Sequence, residues 1–290
     1  MTLRGFTLIS LLIALFLASL LLVAVIKLFT TCQQLYRVQI NLAEMDQRIA
    51  VTANLLQQTL QSAGIAGCKR LVKHRLMAKA DPHSQQGNPQ DTLIIEHSYS
   101  LPAKLLQQVN SQQIIVATPN ALWVEPKTAV ISNCQHSELF KIKRQQRVTD
   151  QASQLFLVDR LQYHYQQAEI FLWQKEQWYI AKTTRVNDHH HSIYGLYLRQ
   201  QPTQRAEELV SGIERWAIHY GVAVANQAIH YVKRDEVTDW ERVKAIQIEL
   251  LFSTLADVAR QPMVYQFAGQ QYKARDTKVY RNVILTISLV

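Results

Sequence analysis

Glycine and proline are scarce in this chain, eight and seven among 290 residues. With so few glycines there is no phosphate-cradling Gly-rich loop, and no G-x-S-x-G nucleophile turn occurs anywhere. Neither residue occurs from Phe6 to Ala63, so nothing in that stretch interrupts a helix. Cysteine is scarcer still at three, too few for a disulfide-built miniature or a four-cysteine metal framework. Runs of like charge are also missing. The net charge of +9 is spread along the chain, a pattern that leaves attraction to nucleic acid or anionic surfaces unsupported by charge alone.

What is present begins at the N-terminus. From Phe6 to Ile26 there is not one charged residue, and only Thr7, Ser10 and Ser19 are polar. As a helix this run is about 31 Å long, the hydrocarbon thickness of a bilayer. The run continues into Lys27-Leu28-Phe29-Thr30-Thr31-Cys32, with no small-residue cleavage site of the kind that ends a secretory signal. Beyond Lys27 the pattern turns amphipathic. Leu35, Val38, Leu42, Met45, Ile49, Thr52, Leu56, Leu60 and Ala63 recur at spacings of three and four, a single apolar stripe. Arg37, Gln39, Glu44, Gln47, Arg48 and Gln58 make the opposite face. The spacing therefore predicts one helix over 6–63, about 87 Å long, whose first part (6–26) crosses a membrane and whose second part lies under the protein's own following domain.

After Gly64 the chain reads as strands. Short β-branched runs occur at 91–97, 113–118 and 128–132, and 138–143 alternates with period two. Longer candidates are 155–165, 169–173, 178–183, 193–199, 213–220, 244–254 and 278–289. Residues 205–209 and 235–242 read as helical turns. Turn chemistry marks Asp81-Pro82, Gly87-Asn88-Pro89 and Asn187-Asp188. Trp173 and Trp178 flank Lys175 at an expected hairpin, where packing on a sheet face outweighs stacking on bases. The expectation is an α+β protein: a long N-terminal helix packed on an antiparallel β-rich domain over 64–290, with no linker that splits it.

Cys68 follows the helix end and Cys134 follows a strand, which makes them the pair for a disulfide. Three reduced thiols are the other reading, and Cys32 reads as a small apolar residue on the helix. His189-His190-His191 follow Asp188, but consecutive residues rarely all point at one ion. No His or Cys stands at ligand spacing nearby, so an exposed polar loop and no metal are expected. Asp159, Glu169 and Asp257 form no acid–base pair that spacing justifies. No catalytic constellation and no cofactor motif emerges, and the chain reads as non-enzymatic.

Met1-Thr2-Leu3-Arg4-Gly5 followed by Phe6 resembles a type IV prepilin leader. That resemblance implies a leader over 1–5, cleavage by prepilin peptidase between Gly5 and Phe6, and N-methylation of Phe6. Further stretches resemble the PilW type of minor pilin: Gln47-Arg48-Ile49 through Ser62-Ala63-Gly64-Ile65-Ala66-Gly67-Cys68, and Ala129 to Cys134 followed by Leu139-Phe140. So do Gly195 to Arg199 with Glu208 to Glu214 and His219-Tyr220-Gly221, and Trp240 to Leu251. The resemblance implies a type IV pilin-like fold in a subunit that primes pilus assembly at the filament tip, with adhesion, twitching motility or DNA uptake downstream. It implies an inner-membrane single-pass protein with a periplasmic domain, later carried to the pilus on the cell surface. The implied partners are other minor pilins and the major pilin through the N-terminal helix, prepilin peptidase, the inner-membrane assembly platform and a tip adhesin. A minor pseudopilin of a type II secretion system uses the same parts, and a tip-displayed DNA- or surface-binding module is the reading from another class. One departure stands out: Ser10 occupies the place of the usual pilin glutamate. A buried carboxylate costs about 2.5–3.5 kcal/mol on the insertion scale and normally has a dedicated partner. With serine there, both the cost and the attraction are gone, which suits a subunit that enters first.

Overall fold

The computed structural model describes residues 8–70, 76–80, 91–99, 103–117, 128–201, 205–224 and 228–289. A single helix, α1, runs from Leu8 to Ser62. No proline or glycine interrupts it, and hydroxyls that would otherwise sit unpaired bond back to its own carbonyls: Ser19 Oγ to Phe16 O, Thr30 and Thr31 Oγ1 to Lys27 O. Gly64 ends it with φ 73°, a left-handed turn that relieves the last helical residues without a Cβ clash.

A two-strand ladder follows, β1 (Ile65–Ala66) and β2 (Lys69–Arg70). Then come β3 (Leu76–Ala80), β4 (Asp91–Ser98), β5 (Ala103–Asn110), β6 (Gln113–Ala117), β7 (Thr128–Ser132), β8 (Ser137–Thr149) and β9 (Ala152–Leu157). The longest strand is β10 (Glu169–Val186), followed by β11 (Ser192–Gln201) and β12 (Ala206–Ser211). The chain ends with β13 (Ile213–Ala223), β14 (Ile229–Val232), β15 (Val243–Ser253), β16 (Val264–Phe267), β17 (Gln270–Lys273) and β18 (Tyr280–Ser288). All described pairings are antiparallel. The expected α+β layout, a long helix and then an antiparallel β-rich region, is therefore what forms.

Three apolar clusters draw on β10, two large and a small one of Ala66, Val130, Phe171 and Trp173. The largest joins the helix to β4, β10, β11, β13 and β15, through Met45, Leu56, Leu60 and Ala63 against Trp178, Leu196, Trp216, Ile248 and Phe252. Its floor is the sheet β14-β13-β15-β18. The second core is ringed by strands that close on themselves: β10 pairs β5, then β6, β9, β8 and β7 follow, and β7 returns to β10. A closed ring leaves no free edge among its members. Ile114, Val116, Ile131, Phe140, Ile142, Leu155 and Ile170 fill it. Tyr165 plugs it, 2% exposed, with its hydroxyl donating to Glu138 Oε1 at 3.0 Å.

Several expectations need correction. The strand expected over 155–165 stops at Leu157, because Leu161 and Tyr165 turn inward to cover the ring. Trp173 and Trp178 lie on one continuous strand, and there is no hairpin between them. The polar run Gln174-Lys175-Glu176-Gln177 looks like a turn, yet it stays extended because its charges find partners across the sheet. Lys175 Nζ lies 3.0 Å from Glu96 Oε1 and His97 Nε2 3.3 Å from Glu176 Oε1, both partners on β4, while Trp178 Nε1 of the same strand donates to Glu176 at 3.1 Å. The two tryptophans are buried on opposite faces, in different apolar clusters. Residues 205–209, expected as a helical turn, belong to edge strand β12. Residues 235–242 form two short 3-10 turns, Arg234–Glu236 and Trp240–Arg242. The turns at Asp81-Pro82 and Gly87-Asn88-Pro89 lie outside the described residues.

Cys68 and Cys134 are bonded, with Cα atoms 5.3 Å apart and a sequence separation of 66. The bond fastens the segment after α1 to the end of β7. Closing a loop of that length restricts the unfolded chain by up to about 4 kcal/mol. The Cys68→Ser and Cys134→Ser variants are expected to lose stability up to that amount in chemical denaturation of the detergent-solubilised chain. Wild type under reductant should match them; oxidised wild type no more stable than either variant would contradict the role assigned to the bond.

Candidate assembly helix and its anchorage

The first half of α1 and its second half meet different surroundings. Every apolar side chain from Leu11 to Phe29 is exposed, Leu21 to 68%. Such a length of uncovered apolar surface is the mark of a membrane or partner-facing segment. One helix of the described residues, Leu11–Ser62, contains a stretch long and apolar enough to cross a bilayer. Ser10 lies in the opening turns of α1. Gly5 and Phe6, the expected cleavage and methylation positions, lie outside the described residues. Cys32 is a free, exposed thiol on the helix.

The apolar stripe becomes buried only farther along. Leu35 is exposed, Val38 and Leu42 are half-buried, and Met45, Thr52, Leu56, Leu60 and Ala63 are fully covered. Arg48, read from sequence as part of the polar face, turns inward. Its Nη1 approaches Ser211 O at 3.5 Å and its Nε donates to Glu44 O at 3.1 Å. Its Nη2 is buried with no hydrogen-bond partner among the described residues. Burial pulls the guanidinium below its ordinary pKa, against the nearby Glu44 carboxylate. Room for the side chain comes from Gly212, where the backbone has φ 80° and a Cβ would meet Arg48 Nη1 and, at 2.9 Å, Ser253 O. On the outer side Asp46 pairs with Arg281 of β18.

The helix end is held by β4. Gly64 N donates to Glu96 O at 2.8 Å, and Ser98 Oγ donates to Ile65 O at 2.9 Å. Beneath this joint lie two buried polar pairs on opposite faces of the sheet: Glu96 accepts from Trp173 Nε1 at 3.1 Å on one, and His97 Nε2 stands 3.3 Å from Glu176 Oε1 on the other. Desolvation of His97 lowers its pKa, but the Glu176 carboxylate overcomes it and the net shift is upward.

A second polar group lies at the β10–β11 turn. Asn187 Oδ1 accepts from the His189 and His191 amides at 3.0 and 2.9 Å, and His190 takes φ 61° to complete the turn. This carries His189 and His191 to Asp257, while His190 is exposed. Burial raises the Asp257 carboxyl, but hydrogen bonds from His191, Thr277 and Asn187 leave it below the usual carboxylate range. Spacing gave no hint of this meeting, because Asp257 is far along the chain and is delivered by the turn after β15.

Residues 177–289 match the family model PilW, Type IV Pilus-assembly protein W. The match supports a PilW-type pilus protein. It takes in most of β10 and all of β11 to β18, the part of the domain that carries the floor under α1, whereas the closed ring of β5 to β9 lies outside it. A long apolar N-terminal helix and a pilus-assembly family together fit a membrane-anchored pilus component. No curated protein and no solved structure matches the chain.

Two outcomes are expected. Gly212→Ala forces a strained backbone and expels the Arg48 guanidinium, so it should destabilise by more than ~1 kcal/mol in chemical denaturation; a neutral effect would show that the Arg48 seat is not needed. A histidine whose folded pKa is raised adds stability that is complete below the unfolded value of 6.5 and fades as pH rises through the folded value. The thermal advantage of wild type over His97→Gln should therefore be largest in acid and shrink toward alkaline pH, and a constant difference would exclude the His97–Glu176 pair as its source.

Proposed function

We propose that this chain is a minor pilin that takes part in priming type IV pilus assembly and sits at or near the filament tip. The observation that carries this reading is the division of α1: an uncovered apolar half for lipid and for other subunits, and a covered half clamped beneath the PilW-matching sheet. The protein waits in the inner membrane as a single-pass chain with a periplasmic domain. Prepilin peptidase cuts after Gly5, and the amine of Phe6 is methylated. Leaving the bilayer, the helix replaces lipid contacts with those of other pilins, so burial of apolar surface is conserved while the domain stays in water. Ser10 brings no carboxylate to seek the terminal amine of a preceding subunit, yet Phe6 still offers an amine to the next, an asymmetry that favours entry ahead of the others. The role is structural and requires no reaction beyond processing.

The experiment follows the mature protein and its position. N-terminal sequencing of the protein from membranes should begin at methylated Phe6; a start beyond the apolar run would overturn the reading. Ser10→Glu should spread the labelled subunit along the shaft, and unchanged location with unchanged piliation would refute the role given to Ser10.

A further inference from the structure

We propose that His189 and His191 of the β10–β11 turn, with Asp257 and Asp276, form a binding site for one zinc-class divalent cation. Three separate segments meet here: the turn, the loop after β15 and the loop before β18. His191, Asp257 and Asp276 each place a ligand atom within 4.8 Å of the others. His189 Nδ1 and His191 Nδ1 stand 3.3 and 3.0 Å from the same Asp257 Oδ2. Four-coordinate zinc, with bonds of about 2.0–2.1 Å, sets its ligand atoms about 3.3 Å apart, close to both separations from Asp257 Oδ2; His191, Asp257 and Asp276 are already gathered, and the exposed His189 side chain, outside that group, completes the set by turning toward it.

Hydrogen bonding alone accounts poorly for the arrangement. The Asp257 side chain is 1% exposed. Its Oδ1 accepts from Thr277 N at 2.8 Å and Thr277 Oγ1 at 3.1 Å; its Oδ2 faces Asn187 Nδ2 at 2.5 Å besides the two imidazoles. Five nitrogen or oxygen donors thus crowd a group with about four acceptor sites. Asp257 Oδ2 alone faces three nitrogens, and where an imidazole presents its Nδ1 lone pair a cation between it and the carboxylate oxygen turns repulsion into coordination. Thr277 and Asn187 then do what outer-shell groups do at metal sites, fixing the carboxylate so that its remaining lone pair points at the ion.

Charge agrees. Asp257, Asp276 and Glu214 are opposed by one buried ammonium, Lys278. Its Nζ is held by Ser192 O at 2.8 Å and Glu214 Oε1 at 3.1 Å, and stands 4.0 Å from Asp276 Oδ2. Three carboxylates less one ammonium leave two negative charges, which a divalent cation balances. Asp276 is kept in place by Tyr280, whose hydroxyl lies 3.1 and 2.9 Å from its two oxygens. Two imidazoles and two carboxylates favour zinc and its first-row neighbours over magnesium or calcium, which prefer oxygen alone. Bound there, the ion ties the turn to both flanking loops.

The test uses the full chain in detergent micelles, stripped with a chelator and titrated with zinc(II) by calorimetry. Wild type should bind one equivalent saturably and melt at a higher temperature with zinc present. His189→Gln/His191→Gln should weaken binding by about tenfold or more, and His190→Gln should leave it unchanged. The two histidine side chains are 66% and 41% exposed, so their replacement spares the core. Cobalt(II) gives a second reading on wild type itself: an intense visible band marks a four-coordinate site. No saturable zinc binding, a weak cobalt band, or equal affinity in the double variant would each overturn the proposal.

Discussion

Burial of one stripe of α1, from Met45 to Ala63, is the contact on which the remaining architecture depends. Met45, Thr52, Leu56, Leu60 and Ala63 have no exposure at all, Ile49 is half-buried beside them, and the stripe presses on residues from two separate sheets. Remove them and the sheet β14-β13-β15-β18 loses its cover, while β4, β10 and β11 lose the wall they share with it. The uncovered half of the helix is meaningful only because this half is fixed: a rod free at both ends would have no preferred direction to offer a membrane or a neighbouring subunit.

The second constraint is β10. Its first residues close the ring of β5 to β9, and its later residues lie between β4 and β11 in the helix-bearing part. Its burial pattern changes accordingly, from a continuous covered run at Ile170 to Gln174 to alternation from Lys175 to Ala181. A strand covered on both faces and then on one is what the change requires. The family match begins within β10 and covers β11 to β18.

Much of this was legible in the residues. The helix, its apolar half and its stripe follow from spacing, and β7, with its cysteine, stands where β-branched residues put it. The rest failed for physical reasons. Gln174 to Gln177 looked like a turn because their partners Glu96 and His97 come from a strand far back in the chain. Arg48 looked exposed because nothing local announces that Gly212 leaves room for it. Strand β5 carries Lys104, Gln107 and Gln108 among its apolar residues, too mixed a pattern to read alone; only ring closure makes it a strand. Asp257 was passed over at the histidine turn because its approach is set by how β15 and β18 end. Long-range pairing is what a single sequence conceals, and each of these misses is a long-range pair.

The Cys68–Cys134 bond has a mechanical consequence. Tension applied to the rod at its far end travels along an unbroken helical backbone to Gly64, passes through β1, and at Cys68 meets a covalent stitch to the turn between β7 and β8. A pull that reaches Cys68 is therefore shared with a turn of the closed ring and is not carried by β2 alone. The tether thus lies close to the joint between helix and domain, where strain would concentrate.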